Sequence, residues 1–379
     1  MNVKRKKSIV SMMILGAIIL SNFAVVRVTT AEETAATGEL GVPAIAFTRD
    51  DFGVDTTDLE GSTIASFGDL QDRYSLDGNV LAGAKLGRDG KRNVVVFDAT
   101  TKERLSLIKN ALSPIAFKGG RKIAFGGAFR RDHSVNSLWV RNLEATRTRK
   151  VVQFSIGGST PGVKTGFRGE NSMLETAIDR AGGTAVIVQG NDIDLFIYDA
   201  WSINMKSGKA TRLTKGKRSR HASISPNGEQ VSLLREDVDG FCGGPEPGYR
   251  AGDIVVMDPD GSNKRVLING DCDVFYDQPR WLNDSTLVAR RLTRIEGEEF
   301  RASELVFIDV PSGMDTKPLT TGVSTNVGNF AVSSKLGVVA YDDFMNPGGF
   351  FVFDPSAGST RVSPEGRFPH LKGENIAPF

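Results

Sequence analysis

The chain has 379 residues, with 47 Lys and Arg against 45 Asp and Glu, a net charge of +2, 42 glycines and two cysteines. So even a balance leaves no basic footprint for nucleic acid, and the local runs 215–220 and Arg290-Arg291 read as solvated loops. The glycine content fits a fold made almost wholly of short strands and turns.

From the N-terminus, Lys4-Arg5-Lys6-Lys7 precedes an apolar stretch from Ile9 to Val26, and Thr29-Thr30-Ala31 supplies small residues before Glu32-Glu33. A basic head, an apolar core and a small-residue cleavage site predict a signal peptide over 1–31 and a mature domain over 32–379. The stretch is long, so an uncleaved N-terminal anchor is the alternative. No other stretch approaches a membrane span, and the expected location is periplasmic or secreted.

A strand–turn signature then recurs. Val94-Val95-Val96-Phe97-Asp98, Leu195-Phe196-Ile197-Tyr198-Asp199, Ile254-Val255-Val256-Met257-Asp258, Leu305-Val306-Phe307-Ile308-Asp309 and Phe350-Phe351-Val352-Phe353-Asp354 share it, and Ser137–Asn142 is a degraded copy. Each is a β-branched or aromatic run closed by an Asx residue whose side chain caps the following turn. The marks recur about every 51 residues, the spacing of a propeller blade. Inner hairpins such as Ile224–Ser232 and Pro279–Ala289 fall between them. The prediction is all-β, a single β-propeller of four-stranded blades, seven favoured and six the alternative. The C-terminal segment 367–379 is expected to supply the first hairpin of the closing blade, with 42–47 and 63–67 as its second. That pairing of chain ends would remove exposed sheet edges.

Ser225-Pro226-Asn227-Gly228, followed by Asp253–Asn263 and Val266-Leu267, resembles the repeat of TolB-type β-propellers, and Arg212-Leu213-Thr214 and Pro318-Leu319-Thr320 match its L-T ending. The likeness is close over 221–268, fair over 278–320 and loose elsewhere. It implies a fold that serves scaffolds, receptors and enzyme accessory domains alike. An N-terminal domain of the kind carried by the periplasmic translocation protein of that family is not expected ahead of the repeats, so the resemblance is to the repeat alone.

Blade topology places the b–c loops (126–137, 235–252, 291–303 and 342–349) and the d–a connections on one face, where binding is expected. Cys242 and Cys272 both map there and are expected to form a disulfide. Asp237-Val238-Asp239-Gly240 lacks the spaced ligands of a calcium loop and reads as an acidic loop. His221 and His370 precede inner strands at the channel mouth, His133 lies in a loop of the same face, and Gln278 begins the next inner strand. No G-x-S-x-G nucleophile motif occurs.

The leading functional expectation is therefore a non-catalytic binding or scaffold protein, monomeric, engaging an envelope or secreted protein and needing no cofactor. Its candidate contacts, named from position, are Arg130, Arg131, His221, Asp237, Asp239, Arg290, Arg291, Glu298 and Glu299. The alternative is a metal-assisted lyase or hydrolase at the channel mouth, holding a divalent metal through His133, His221 and His370. A third reading is a carbohydrate or small ligand in the channel.

Overall fold

The structure is a computed structural model. It describes residues 43–49, 53–70, 74–87, 91–127, 137–153, 171–191, 198–215, 218–241, 250–294, 301–318, 327–343, 350–354, 358–363, 367–374 and 376–378. These belong to one compact unit, Leu40–Phe379.

Seven antiparallel sheets form a ring, each built on four strands, consecutive in the chain except in the closing blade, giving a seven-bladed β-propeller. The innermost strands, in blade order, are Arg367–Leu371, Tyr74–Asp77, Ala111–Phe117, Asn171–Ile178, Arg218–Ile224, Val274–Asn283 and Val327–Ser333. Each blade rests both faces on its neighbours, so its central strands are apolar in continuous runs rather than alternating. Val94, Val96, Val255 and Leu305 illustrate this, all fully buried. Between blades 3 and 4, Phe117, Leu138, Trp201 and Ile203 share one core. Fully burying a side chain of this kind contributes about 1.5–3 kcal/mol.

The Asx turns form as the sequence predicts. Asp98 Oδ1 accepts from the Thr100 and Thr101 amides at 2.9 and 2.7 Å, and Asp309 Oδ2 from Ser312 N at 3.0 Å. Blade 4 departs from the expected register. Its third strand is Tyr198–Asn204, so Asp199 lies near the strand start and Asn204 caps the turn, accepting from the Lys206 and Ser207 amides. Asp199 is instead bonded to the Arg212 guanidinium on the neighbouring strand. A carboxylate with a cross-strand cation has no need of a turn.

Ring closure also differs from the expected two-plus-two arrangement. Blade 1 takes one strand, Arg367–Leu371, from the C-terminus and three from the N-terminus, Ile45–Thr48, Gly53–Thr57 and Thr63–Asp69. The middle one, Gly-Val-Asp-Thr-Thr, is short and half polar, so it reads as a turn in sequence. The chain then reverses at Gly373, whose φ of +78° suits glycine, and the turn is pinned by Gly373 N donating to Leu76 O at 2.8 Å. Beyond it Ile376–Pro378 adds a fifth strand to the inner edge of blade 4, with Ile376 opposite Ala177 and Pro378 opposite Glu175. The C-terminus thus leaves blade 1 for the inner edge of blade 4.

Two expected loops are mostly strand. Val231–Phe241 carries Asp237 and Asp239, because a register shift between Glu236 and Phe241 lets the hairpin arm run on past the blade. Thr286–Arg294 pairs residue by residue with Arg301–Asp309, so both ends of the expected 291–303 loop are strand.

Candidate functional site at the channel mouth

Innermost strands line the channel, and those of blades 3 to 7 carry a β-bulge in their pairing with the next strand. The register shifts fall at Leu112/Ile115, Met173/Glu175, Arg220/Ser223, Asp277/Arg280 and Val327/Phe330. An extra residue turns the strand locally and re-aims its side chains, which is why bulges gather beside active sites. His221 and Gln278 sit in such bulges with φ of +51° and +50°, and Ser113 matches them at +49°. A left-handed non-glycine residue costs of order 1–3 kcal/mol and persists only where its surroundings hold it.

Blades 4 to 7 together wall a cavity of about 240 Å³, lined by Glu175, His221, Gln278, Arg280 and Asn329 with the backbone at Ala222 and Pro279. Glu175 and His221 meet there: His221 Nδ1 lies 3.1 Å from Glu175 Oε1, with the side chains 31% and 19% exposed for His and Glu respectively. Glu175 Oε2 also accepts from Ala222 N at 3.3 Å. Burial opposes both charges, yet the neighbouring imidazolium holds the Glu175 carboxyl below the usual carboxylate range. Burial likewise works against charge on His221, but the Glu175 carboxylate and, further off, Asp277 lift its imidazole above the usual range, with Arg280 pulling the other way. Each group thus favours the charged form of the other.

Arg280 forms the floor. It donates through Nη1 to Glu374 Oε1 of the C-terminal segment and lies 4.9 Å over the Phe330 ring. Below it, Glu374 and Trp281 border a second space of about 30 Å³, the volume of one water.

Of the residues expected to act, His221 is at this mouth. Arg290 grips Asp277 through two bonds of 2.9 and 2.6 Å and donates to Gly328 O of blade 7 at 2.8 Å, and Arg291 bridges Glu304 and Asp315 within blade 6. Asp237 and Asp239 are placed by backbone only, on the blade 5 hairpin. His370 is placed likewise, on the innermost strand of blade 1 opposite Ala46. Arg130, Arg131, His133, Cys242, Glu298 and Glu299 lie outside the described residues. Among the described residues no three His, Cys, Asp or Glu side chains stand together as a metal site.

Glu175, Arg280 and Glu374 were not singled out by the sequence. An ionisable residue at the head of an innermost strand is the rule that finds His221, and Glu175 ahead of Thr176-Ala177-Ile178 satisfies it equally.

No protein-family model matches the chain, and no curated protein matches its sequence. Solved structures do share its fold. The β-propeller domain of the Trilobed protease from Pyrococcus furiosus is 14% identical, with a TM-score of 0.54 over 76% of this chain and 82% of that one. An oligogalacturonate lyase, solved in complex with manganese, is 13% identical with a TM-score of 0.57 over 87% and 86%. The acylaminoacyl peptidase from Pyrococcus horikoshii is 13% identical with a TM-score of 0.55 over 76% of this chain, which spans only 44% of the peptidase. These likenesses carry the fold. They correct the expectation of a non-catalytic scaffold in the cell envelope, because the propellers found to be similar belong to a protease, a lyase and a peptidase.

Proposed function

We propose that the channel mouth is an acid–base site that cleaves a bond to oxygen in a small polar substrate, as a hydrolase or lyase does. One observation carries this reading: His221, held by Glu175 in a left-handed bulge, presents its imidazole to a cavity of about 240 Å³. Nδ1 is committed to the carboxylate, so Nε2 is the proton carrier, and Glu175 fixes both the ring and its charge. In hydrolysis the Nε2 proton passes to the leaving oxygen as its bond to carbon breaks. The neutral imidazole then takes a proton from the incoming water as the water oxygen bonds to that carbon, which restores the imidazolium.

The family assignment and the cellular setting belong to the same proposal. The Ser225–Gly228 turn and the Asp253–Asn263 strand and turn support a place among TolB-type repeats. The basic and apolar leader supports export, and an oxidising compartment supports a Cys242–Cys272 bridge.

The test is a cleavage screen of the mature protein against chromogenic esters, aryl glycosides and polyuronates, with His221→Asn beside the wild type. Cleavage of one class, lost at least 100-fold in the variant, is the expected result. A wild type inert on every class, or a variant as active as the wild type, overturns the reading.

A further inference from the structure

We propose that the mouth cavity takes its ligand through a carboxylate, gripped by the open edge of the Arg280 guanidinium. This deepens the acid–base reading of the same site and rests on it.

Three donors face the cavity with capacity to spare. Arg280 spends Nη1 on Glu374 and stacks on Phe330, and it has no other protein partner among the described residues. A guanidinium carries five N–H groups in a planar fork, and the free ones match the two oxygens of a carboxylate. His221 uses Nδ1 on Glu175, leaving Nε2 without a protein partner among the described residues. Gln278, aimed by its own left-handed bulge, likewise keeps its amide uncommitted there.

Charge points the same way. Glu175 balances His221 and Glu374 balances Arg280 from behind, so the polar groups turned towards the cavity itself are mainly the donors of Arg280 and His221. Glu374 borders the small space beneath Arg280 and not the mouth cavity, so it leaves the edge of the guanidinium that faces the cavity unoccupied. Its role is to hold the guanidinium in place from behind, together with the Phe330 ring. Beside the Glu175 and Glu374 carboxylates, a monoanionic carboxylate meets less like-charge repulsion than a phosphate dianion would. The volume of about 240 Å³ is that of about eight waters, room for a small organic acid or the acidic end of a longer molecule.

The experiment measures binding without turnover. Matched pairs of acid and primary amide (benzoate and benzamide, nicotinate and nicotinamide, glucuronate and glucuronamide) and inorganic phosphate are titrated by ligand-detected NMR. The proteins are the wild type, Arg280→Gln and Arg280→Lys. Acids are expected to bind at least tenfold more tightly than their amides, and Arg280→Gln to erase that preference. Arg280→Lys keeps the charge without the fork, is expected to weaken acid binding several-fold, and carries the test if the Gln variant does not fold. Equal binding of acids and amides, no binding by any pair, tighter phosphate than acid, or an intact preference in both variants overturns the proposal. Acid binding by an enzyme whose cleavage ignores His221→Asn would sink the acid–base reading and leave this one standing. Cleavage that depends on His221 but takes amides as readily as acids would do the reverse.

Discussion

Arg280, on the innermost strand of blade 6, donates a hydrogen bond to Glu374, 94 residues further along and past the strand that closes the ring. Their side chains are 22% and 1% exposed, so the carboxylate is almost wholly withdrawn from water and the guanidinium mostly so. One bond therefore ties the C-terminal segment to the floor of the candidate site.

Removing half of a buried pair leaves the other charge uncompensated, which costs about 3–5 kcal/mol when both are fully buried. Arg280 keeps some solvent, so Glu374→Ala is expected to cost about 3 kcal/mol, the lower end of that range. Urea denaturation measures it. A loss below about 1 kcal/mol, the worth of a surface pair, would mean the bond does not pin the segment.

Ending the chain after Asn375 should separate two roles of the C-terminus. Ring closure depends on Arg367–Leu371 and survives, while the fifth strand on blade 4 is lost. The expected outcome is a folded protein whose amides in Glu175–Ala177 exchange faster by hydrogen–deuterium exchange, with blade 1 unchanged. Ending it after Ser363 should unravel blade 1 as well, since its innermost strand goes. Equal protection of Glu175–Ala177 in the full and 375-residue chains would contradict the pairing.

How far the sequence reaches can be seen by comparing these features. Propeller, blade count and closure by both chain ends follow from local signals: an Asx residue after a β-branched run, a Pro-Asn-Gly turn, a near-even period. The fifth strand on blade 4 leaves no such mark, because Ile376-Ala377-Pro378 is too short to carry a pattern and its partner lies about 200 residues earlier. His221 was legible as a mouth residue. Its pairing with Glu175 was not, since it joins two blades through a bulge that no periodicity encodes. Asp199 was misread as a turn cap because an Asx residue looks alike whether it bonds an amide or Arg212.

The Glu175–His221 pair gives stability a pH window. His221 is raised in the folded state, so its contribution is complete below the ordinary imidazole range and fades as pH rises through the higher folded value. Glu175 is lowered, so its contribution is complete above the ordinary carboxylate range and fades as pH falls through the lower folded value. Both hold between the two ordinary ranges. The melting-temperature gap between wild type and Glu175→Gln is expected to be widest in mildly acidic solution and to narrow on either side. A gap that is flat with pH would contradict the pairing.

Two glycines in a–b turns should separate backbone strain from steric contact. Gly337 has φ of +72° and open space where an alanine methyl would stand, whereas at Gly228, φ +78°, the added carbon would lie 2.8 Å from Asp179 Oδ2. Gly337→Ala is expected to cost about 1–2 kcal/mol for the left-handed conformation alone. Gly228→Ala should cost more, because Asp179 also holds the Gly183 and Thr184 amides at 2.8 and 2.9 Å and cannot yield freely. Denaturation midpoints rank the two, and equal losses would mean that the contact with Asp179 adds nothing.

Tyr276 should stay protonated well past the usual phenol range. Burial and its hydrogen bond to Asp315 push it up to about 12, against the opposing pull of Arg291. Ultraviolet titration against Tyr276→Phe isolates it, and a phenol that ionises near its ordinary value would contradict the Tyr276–Asp315–Arg291 arrangement.

A proton NMR titration of His221, in the wild type and in Glu175→Gln, tests the charged imidazole at the channel mouth most directly. With three histidines in the chain, His221→Asn assigns the resonance. The pKa is expected to lie above the ordinary imidazole value in the wild type and to fall to or below it once the carboxylate is gone. An imidazole that titrates at the ordinary value in both proteins would mean that Glu175 does not hold it, and the acid–base site would fall with it.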